Sequence, residues 1–144
     1  MLKHAQLNKA INDKIKAEFP DIPIQSSDVE EGFERPSFFV LLESNRIEVG
    51  QFSTLRDMTC RILFFPTDRY RYKEEVYDVK DRLENIFGLN FPVADRTITI
   101  DGATSEIIDK VLHYDFDFVY FDDSPYDDTG GGSQDLMREL NIRG

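Results

Sequence analysis

Residues 114–123 read Tyr-Asp-Phe-Asp-Phe-Val-Tyr-Phe-Asp-Asp. Successive side chains of a strand point to opposite faces, so a strand here puts Tyr114, Phe116, Phe118 and Tyr120 on one side. His113, Asp115, Asp117, Val119 and Phe121 fall on the other. Four aromatic rings on one face are core material and need a layer to cover them. Carboxylates on the opposite face call for water or cross-strand cations.

The flanking segments supply the strands and the covering layer. Residues 54–65 alternate in the same way, with Met58, Cys60, Ile62 and Phe64 on one side and Asp57, Thr59, Arg61, Leu63 and Phe65 on the other, and Pro66 ends the run. Ser37-Phe38-Phe39-Val40-Leu41-Leu42-Glu43 is apolar at both phases, which predicts a strand buried on both sides. Thr97-Ile98-Thr99-Ile100 is a further strand. Asp101-Gly102 after it predicts a tight turn, and the β-rich stretch that follows is interrupted at Asp109-Lys110.

Two segments carry helical periodicity. Leu7, Ile11, Ile15 and Phe19 recur every four residues and stop at Pro20. Val76, Val79, Leu83 and Ile86 form a second stripe, with Gly88 where a left-handed C-terminal cap is expected. The expected fold is α+β, a mostly antiparallel sheet of four to five strands with two helices packed on one face. Residues 1–121 make up that domain. Residues 122–144 are Asp- and Gly-rich, pass through Gly130-Gly131-Gly132 and read as a flexible acidic tail with a short docking helix around Leu136, Met137 and Leu140.

Composition narrows the function. The chain has 144 residues, enough for one domain with a real core. Its 17 basic and 28 acidic residues leave a net charge of -11, which repels phosphate backbones and anionic lipid, so neither sequence-specific nucleic-acid binding nor membrane binding is expected. The single Cys60 forms no internal disulfide, and neither a signal peptide nor a membrane-length apolar run is visible, which together predict an intracellular soluble protein.

Catalytic constellations are sparse. Asp115 and Asp117 sit about 6.8 Å apart on a strand face, twice the strand rise. With His113 they read either as an incomplete metal ladder or as a solvated or cross-strand-paired face. Metal sites need more ligands than this, so no metal and no cofactor are expected. The acidic residues 122–128 lack the spacing of an EF-hand, and no Lys-Ser or Lys-Thr follows the glycines as a phosphate loop requires. Cys60 lies mid-strand as a small hydrophobe, and His4 and His113 have no nucleophile to serve. Arg69-Tyr70-Arg71-Tyr72-Lys73 is a short basic patch. On a chain this acidic it reads as a set of salt-bridge partners, either within the fold or across a subunit contact, where Asp122, Asp123, Asp127 and Asp128 offer the opposite charge.

In their order and spacing, these features resemble a known family. The resemblance rests on the amino-terminal helix closing on Glu18-Phe19-Pro20 and on the loop Glu31-Gly32-Phe33-Glu34-Arg35-Pro36 running into Ser37-Phe38-Phe39-Val40. It continues through Ile62-Leu63-Phe64-Phe65-Pro66, the helix of residues 72–87, and the run Glu106-Ile107-Ile108-Asp109-Lys110-Val111-Leu112-His113-Tyr114-Asp115-Phe116. Over residues 3–121 the chain is similar to the tail terminator proteins of tailed bacteriophages and prophage elements.

That resemblance implies a structural, non-enzymatic subunit that forms a ring, commonly a hexamer, at the head-proximal end of the tail tube. The ring stops tube polymerisation and presents the surface for joining the head. The implied partners are further copies of the chain, the tail tube protein and a neck or head-completion protein, met in the host cytoplasm and retained in the virion tail or neck. A head-completion or neck connector subunit is the alternative within assembly, and a carboxylate-dependent metal enzyme using His113, Asp115 and Asp117 is the alternative from another class. In such a ring Asp115 and Asp117 become candidates for a channel-facing wall, and Arg69, Arg71, Lys73, Asp122, Asp123, Asp127, Asp128, Leu136, Met137 and Leu140 for subunit contacts.

Overall fold

The computed structural model describes residues 2–25, 34–68 and 70–123. The first helix, α1, spans His4–Glu18. The Lys3 N–H at its start donates to the Gln6 side chain at 2.8 Å, and Pro20 stops it one residue past the Phe19 cap. Leu7, Ile11 and Ile15 are fully buried along its stripe, and Phe19 joins them.

The second helix, α2, spans Lys73–Phe87, with Val76, Val79 and Leu83 buried as the periodicity predicts. Phe87 completes the stripe, while Ile86 is only partly buried. Gly88 caps α2 in right-handed rather than left-handed conformation, with φ -73°. What the position requires is close approach, because a Cβ there would stand 2.5 Å from the Glu84 carbonyl oxygen.

Six strands form one sheet: β1 (Ile24–Gln25), β2 (Ser37–Val49), β3 (Ser53–Phe65), β4 (Asn90–Val93), β5 (Arg96–Ile108) and β6 (Val111–Asp123), in the order β1-β2-β3-β6-β5-β4. Among the described residues only the β1–β2 pairing is parallel. The expected four to five strands become six because β1 and β4, of two and four residues, are too short to show a period of two. The fold is α+β, as read from the sequence.

Asp101-Gly102 does not turn the chain. β5 continues through it with a register shift between Ile100 and Gly102, a bulge between residues 96–99, which pair with β4, and the rest, which pairs with β6. The tight turn lies instead at Asp109 and Lys110, both at positive φ (52° and 67°), closing the β5–β6 hairpin.

Both helices cover one face of the sheet, and the core lies between. Leu112, Tyr114, Phe116, Phe118 and Tyr120 of β6 meet Met58, Cys60, Ile62 and Phe64 of β3 in that layer. Phe87 stacks on Phe116 with ring centroids 5.0 Å apart. Phe91 of β4 meets Phe118 edge-on at 5.3 Å, so β4 adds to the same core. Arg82 of α2 ties the helices together. Its Nε lies 2.7 Å from the Glu18 carboxylate, its guanidinium donates to the Glu18 carbonyl oxygen, and its plane lies over the Phe19 ring.

β2 is not buried on both sides. Phe38 is buried, Phe39 and Val40 are half-buried and Leu41 is exposed, since among the described residues no second layer covers the far face. The division expected after Phe121 falls inside β6, which continues through Asp123.

Candidate assembly surfaces

The face of the sheet away from the helices is polar at its centre. Strand pairing sets Arg61 of β3 opposite Asp115 of β6, and Thr59 opposite Asp117. Arg61 donates to Asp115 at 2.8 Å and reaches Glu43 of β2 at 3.0 Å. The Thr59 hydroxyl donates to Asp117 at 2.6 Å, and the Asn45 amide donates to Thr59 at 2.7 Å. The result is two cross-strand rows over β2, β3 and β6, carrying three carboxylates to one guanidinium.

Asp115 and Asp117 are therefore brought to one face, as expected, but each is engaged by a neighbouring strand. Asp115 Oδ1 is buried without a hydrogen-bond partner among the described residues. Burial pushes the Asp115 carboxyl above the usual carboxylate range, outweighing the Arg61 guanidinium beside it. Hydrogen bonding to Glu43 raises the Arg61 pKa further, so the guanidinium stays charged. Among the described residues no group of three or more His, Cys, Asp or Glu side chains is arranged to hold a metal ion. Cys60 is buried in the core, where desolvation pushes its thiol far up and makes it a poor nucleophile.

The two ends of the sheet differ. The end that holds the β2–β3 turn and the close of β6 exposes Ile47, Val49, Phe52 and Phe121. At the opposite end the Lys110 ammonium lies 5.1 Å from the centroid of the exposed Tyr70 ring, close to the start of α2, where Arg71 and Lys73 are exposed. The basic patch and the end of β6 are thus separated by the strand length, about 40 Å for thirteen residues.

Asp122 is buried, with 3% of its surface exposed. It accepts the Leu2 backbone N–H and lies 3.5 Å from Arg56 Nε. As a candidate for a subunit contact it is already occupied within its own chain. Asp123 ends β6. Arg69, Asp127, Asp128, Leu136, Met137 and Leu140 lie outside the described residues.

Thr59 and Arg61, the partners of the two aspartates, were assigned a common face by the alternation of residues 54–65, but not to the aspartates. That pairing depends on the register of β3 on β6, more than fifty residues away in sequence, which no local pattern carries. The hydrophobic end was missed because Ile47, Val49 and Phe52 read as ordinary strand residues.

No helix among the described residues is long and apolar enough to cross a membrane. A family model described as phage tail terminator protein matches residues 6–130. No curated protein matches the chain.

Proposed function

The chain belongs to the phage tail terminator family, and from that premise we propose that it forms a ring on the head-proximal end of the tail tube, stops tube polymerisation there and offers the surface to which the head is joined. The family is one of structural phage tail proteins, and the family match over residues 6–130 carries the reading. The partners are copies of the same chain, the tail tube protein and a neck or head-completion protein, with a hexamer as the ring. Assembly takes place in the host cytoplasm and the ring stays in the virion.

The chemistry of the helix-free face supports this role. Glu43, Asp115 and Asp117 outnumber Arg61 at its centre, and an acidic wall repels DNA phosphate, so a channel lined by it lets DNA pass without adhering. The exposed hydrophobic end supplies a surface suited to a protein partner at one rim. The metal-enzyme alternative is disfavoured by the occupied state of its ligands, since Asp115 is held by Arg61 and Asp117 by Thr59.

The test is to add the purified protein to polymerising tail-tube protein and measure tube lengths by electron microscopy. Shortened tubes with a ring at one end are expected, and such capped tubes should join filled heads once the head-completion protein is added. Unchanged lengths together with binding to isolated heads would favour the neck-connector alternative and overturn termination.

A further inference from the structure

Among the described residues, both edges of the sheet are partly open. β1 pairs with β2 only at Phe38 and Phe39, leaving residues 40–49 without an outer neighbour among the described residues. β4 pairs with β5 only over residues 96–99, and residues 102–108 are all exposed, without an outer neighbour among the described residues. Open edges are templates for another strand. Three relationships on these edges point to the same occupant.

The first is direction. β2, β3, β6 and β5 are joined by three antiparallel pairings, so β2 and β5 run in opposite directions. A second copy placed by rotation about an axis along the strands keeps its strand directions. Its β2 then meets the first copy's β5 antiparallel, with the same face of both sheets turned to the axis.

The second is the phase of the backbone groups. Phe38 donates its N–H to Pro23 on the β1 side at 2.9 Å, and peptide groups alternate sides along a strand, so Val40 and Leu42 aim theirs at the open edge. On β5, Ile108 faces Val111 across the two-residue turn and bonds to it, as the residues flanking such a turn do. Ala103, Ser105 and Ile107, in the opposite phase, therefore point outward. All five belong to the helix-side face, since Val40 shares a row with Ile62, Tyr114 and Ser105, and Leu42 with Cys60, Phe116 and Ala103. Directly opposed residues of an antiparallel pair share a face, so hydrogen bonding β2 to β5 puts helix side against helix side. A mismatch in this phase would have excluded the pairing.

The third is size. In those rows the small, exposed Ala103 and Ser105 leave room beside the bulkier, half-buried Val40 and Leu42.

We propose that copies of this chain join edge to edge, residues 102–108 of β5 pairing antiparallel with β2 of the next copy from Val40 onward. The contact is heterologous, using two different patches, and repeats until it closes. The separate sheets become one barrel with the helices outside and the Glu43, Arg61, Asp115 and Asp117 face lining the bore. Helices turned inward, each about 10 Å thick, would narrow the bore by about 20 Å and hide this face from it. The stagger that barrel closure demands sets the exact register. The inference rests on the ring reading and adds which surfaces make the ring.

Cysteine crosslinking separates the two. In a Cys60→Ala background, Leu41→Cys is combined in turn with Gly102→Cys, Ala103→Cys, Thr104→Cys, Ser105→Cys or Glu106→Cys, and the protein is oxidised in the presence of tail-tube protein, with ring formation scored independently by electron microscopy. Leu41 lies on the bore side, as do positions 102, 104 and 106. At least one of these three should give a disulfide ladder up to the full ring, and positions 103 and 105 none. Ser105→Pro, which removes an outward N–H and no β6 bond, should keep the thermal melt of the monomer and lose the ring.

Rings that form without a ladder at 102, 104 or 106, or with Ser105→Pro, would overturn the edge pairing and leave the ring reading standing. A crosslink between two copies of Leu41→Cys alone would show β2 pairing with itself and overturn it too. Absence of any ring or capped tube in the unsubstituted protein would overturn the reading beneath it.

Discussion

Asp122, next to last in β6, accepts the backbone N–H of Leu2 with both carboxylate oxygens, at 3.0 and 3.2 Å, across 120 residues of sequence. The same carboxylate is the ion partner of Arg56, 3.5 Å away on β3. One buried side chain therefore pins the start of the chain to the last strand. Removing it leaves Arg56, itself mostly buried, without that charge. Asp122→Ala is expected to lower stability by about 3 kcal/mol, and Asp122→Asn by less, in urea unfolding followed by circular dichroism.

The same contact places the limit of safe truncation. A chain ending at Asp123 should unfold at the full-length urea midpoint, whereas one ending at Phe121 should unfold earlier by an amount close to that of Asp122→Ala. With the fold intact, the Asp123-ended chain is expected to assemble more weakly or differently, read by light scattering. Native-strength assembly would remove the tail from the interface.

Phe116 and Phe121 test the phase of β6. Phe116 stacks on Phe87 and touches Phe91, Tyr114 and Phe118, so Phe116→Ala should cost roughly 3–5 kcal/mol. Phe121 is 64% exposed, and Phe121→Ala should fall within about 0.5 kcal/mol of the parent. Equal costs in chemical denaturation would contradict the assigned faces.

Cys60 should be inert in the native protein. Burial holds its thiol protonated, and the thiolate is the reactive form. At pH 8 an aromatic disulfide reagent should label the denatured chain fully and the folded chain only at the rate of unfolding.

Asp115 carries a pH signature. Its carboxyl is raised above the ordinary 3.8 by burial. A folded-state pKa above the unfolded one means that the group supports folding below pH 3.8 and loses that support as pH rises through the raised value. Asp115→Asn cannot ionise, so its stability relative to the parent should improve as pH goes from about 4 to 6, in paired thermal melts. Because the Arg61 pair is partly exposed, the ion pair lost at pH 7 should cost less than about 1 kcal/mol. A relative stability that worsens over the same range would show that Arg61, not burial, dominates the site.

Much of the fold is legible because its elements carry their own periods. The stripes Leu7, Ile11, Ile15 and Val76, Val79, Leu83 are buried as read, and the even residues of β6 from 114 to 120 form the core. The misses share a cause. Asp101-Gly102 has the composition of a turn but is a bulge, because β5 must serve β4 and β6 at once and bends between them. Leu41 is as apolar as a buried residue, yet among the described residues only one face of β2 has a layer above it. Asp122 reads as the start of an acidic tail because nothing local reveals Leu2 and Arg56 waiting for its carboxylate.

The amino-acid sequence by itself determined both helices, the alternation of β3 and β6, the acidity and the family, since periodicity, charge and the order of segments are properties of neighbours in the chain. Only the tertiary structure decided which strands pair, that Arg61 holds Asp115 and Thr59 holds Asp117, that Asp122 is interior, and that β2 and β5, on opposite sides of the sheet, run in opposite directions. Those depend on register between strands far apart in sequence. A register is chosen by how all the faces pack at once, not by any one segment.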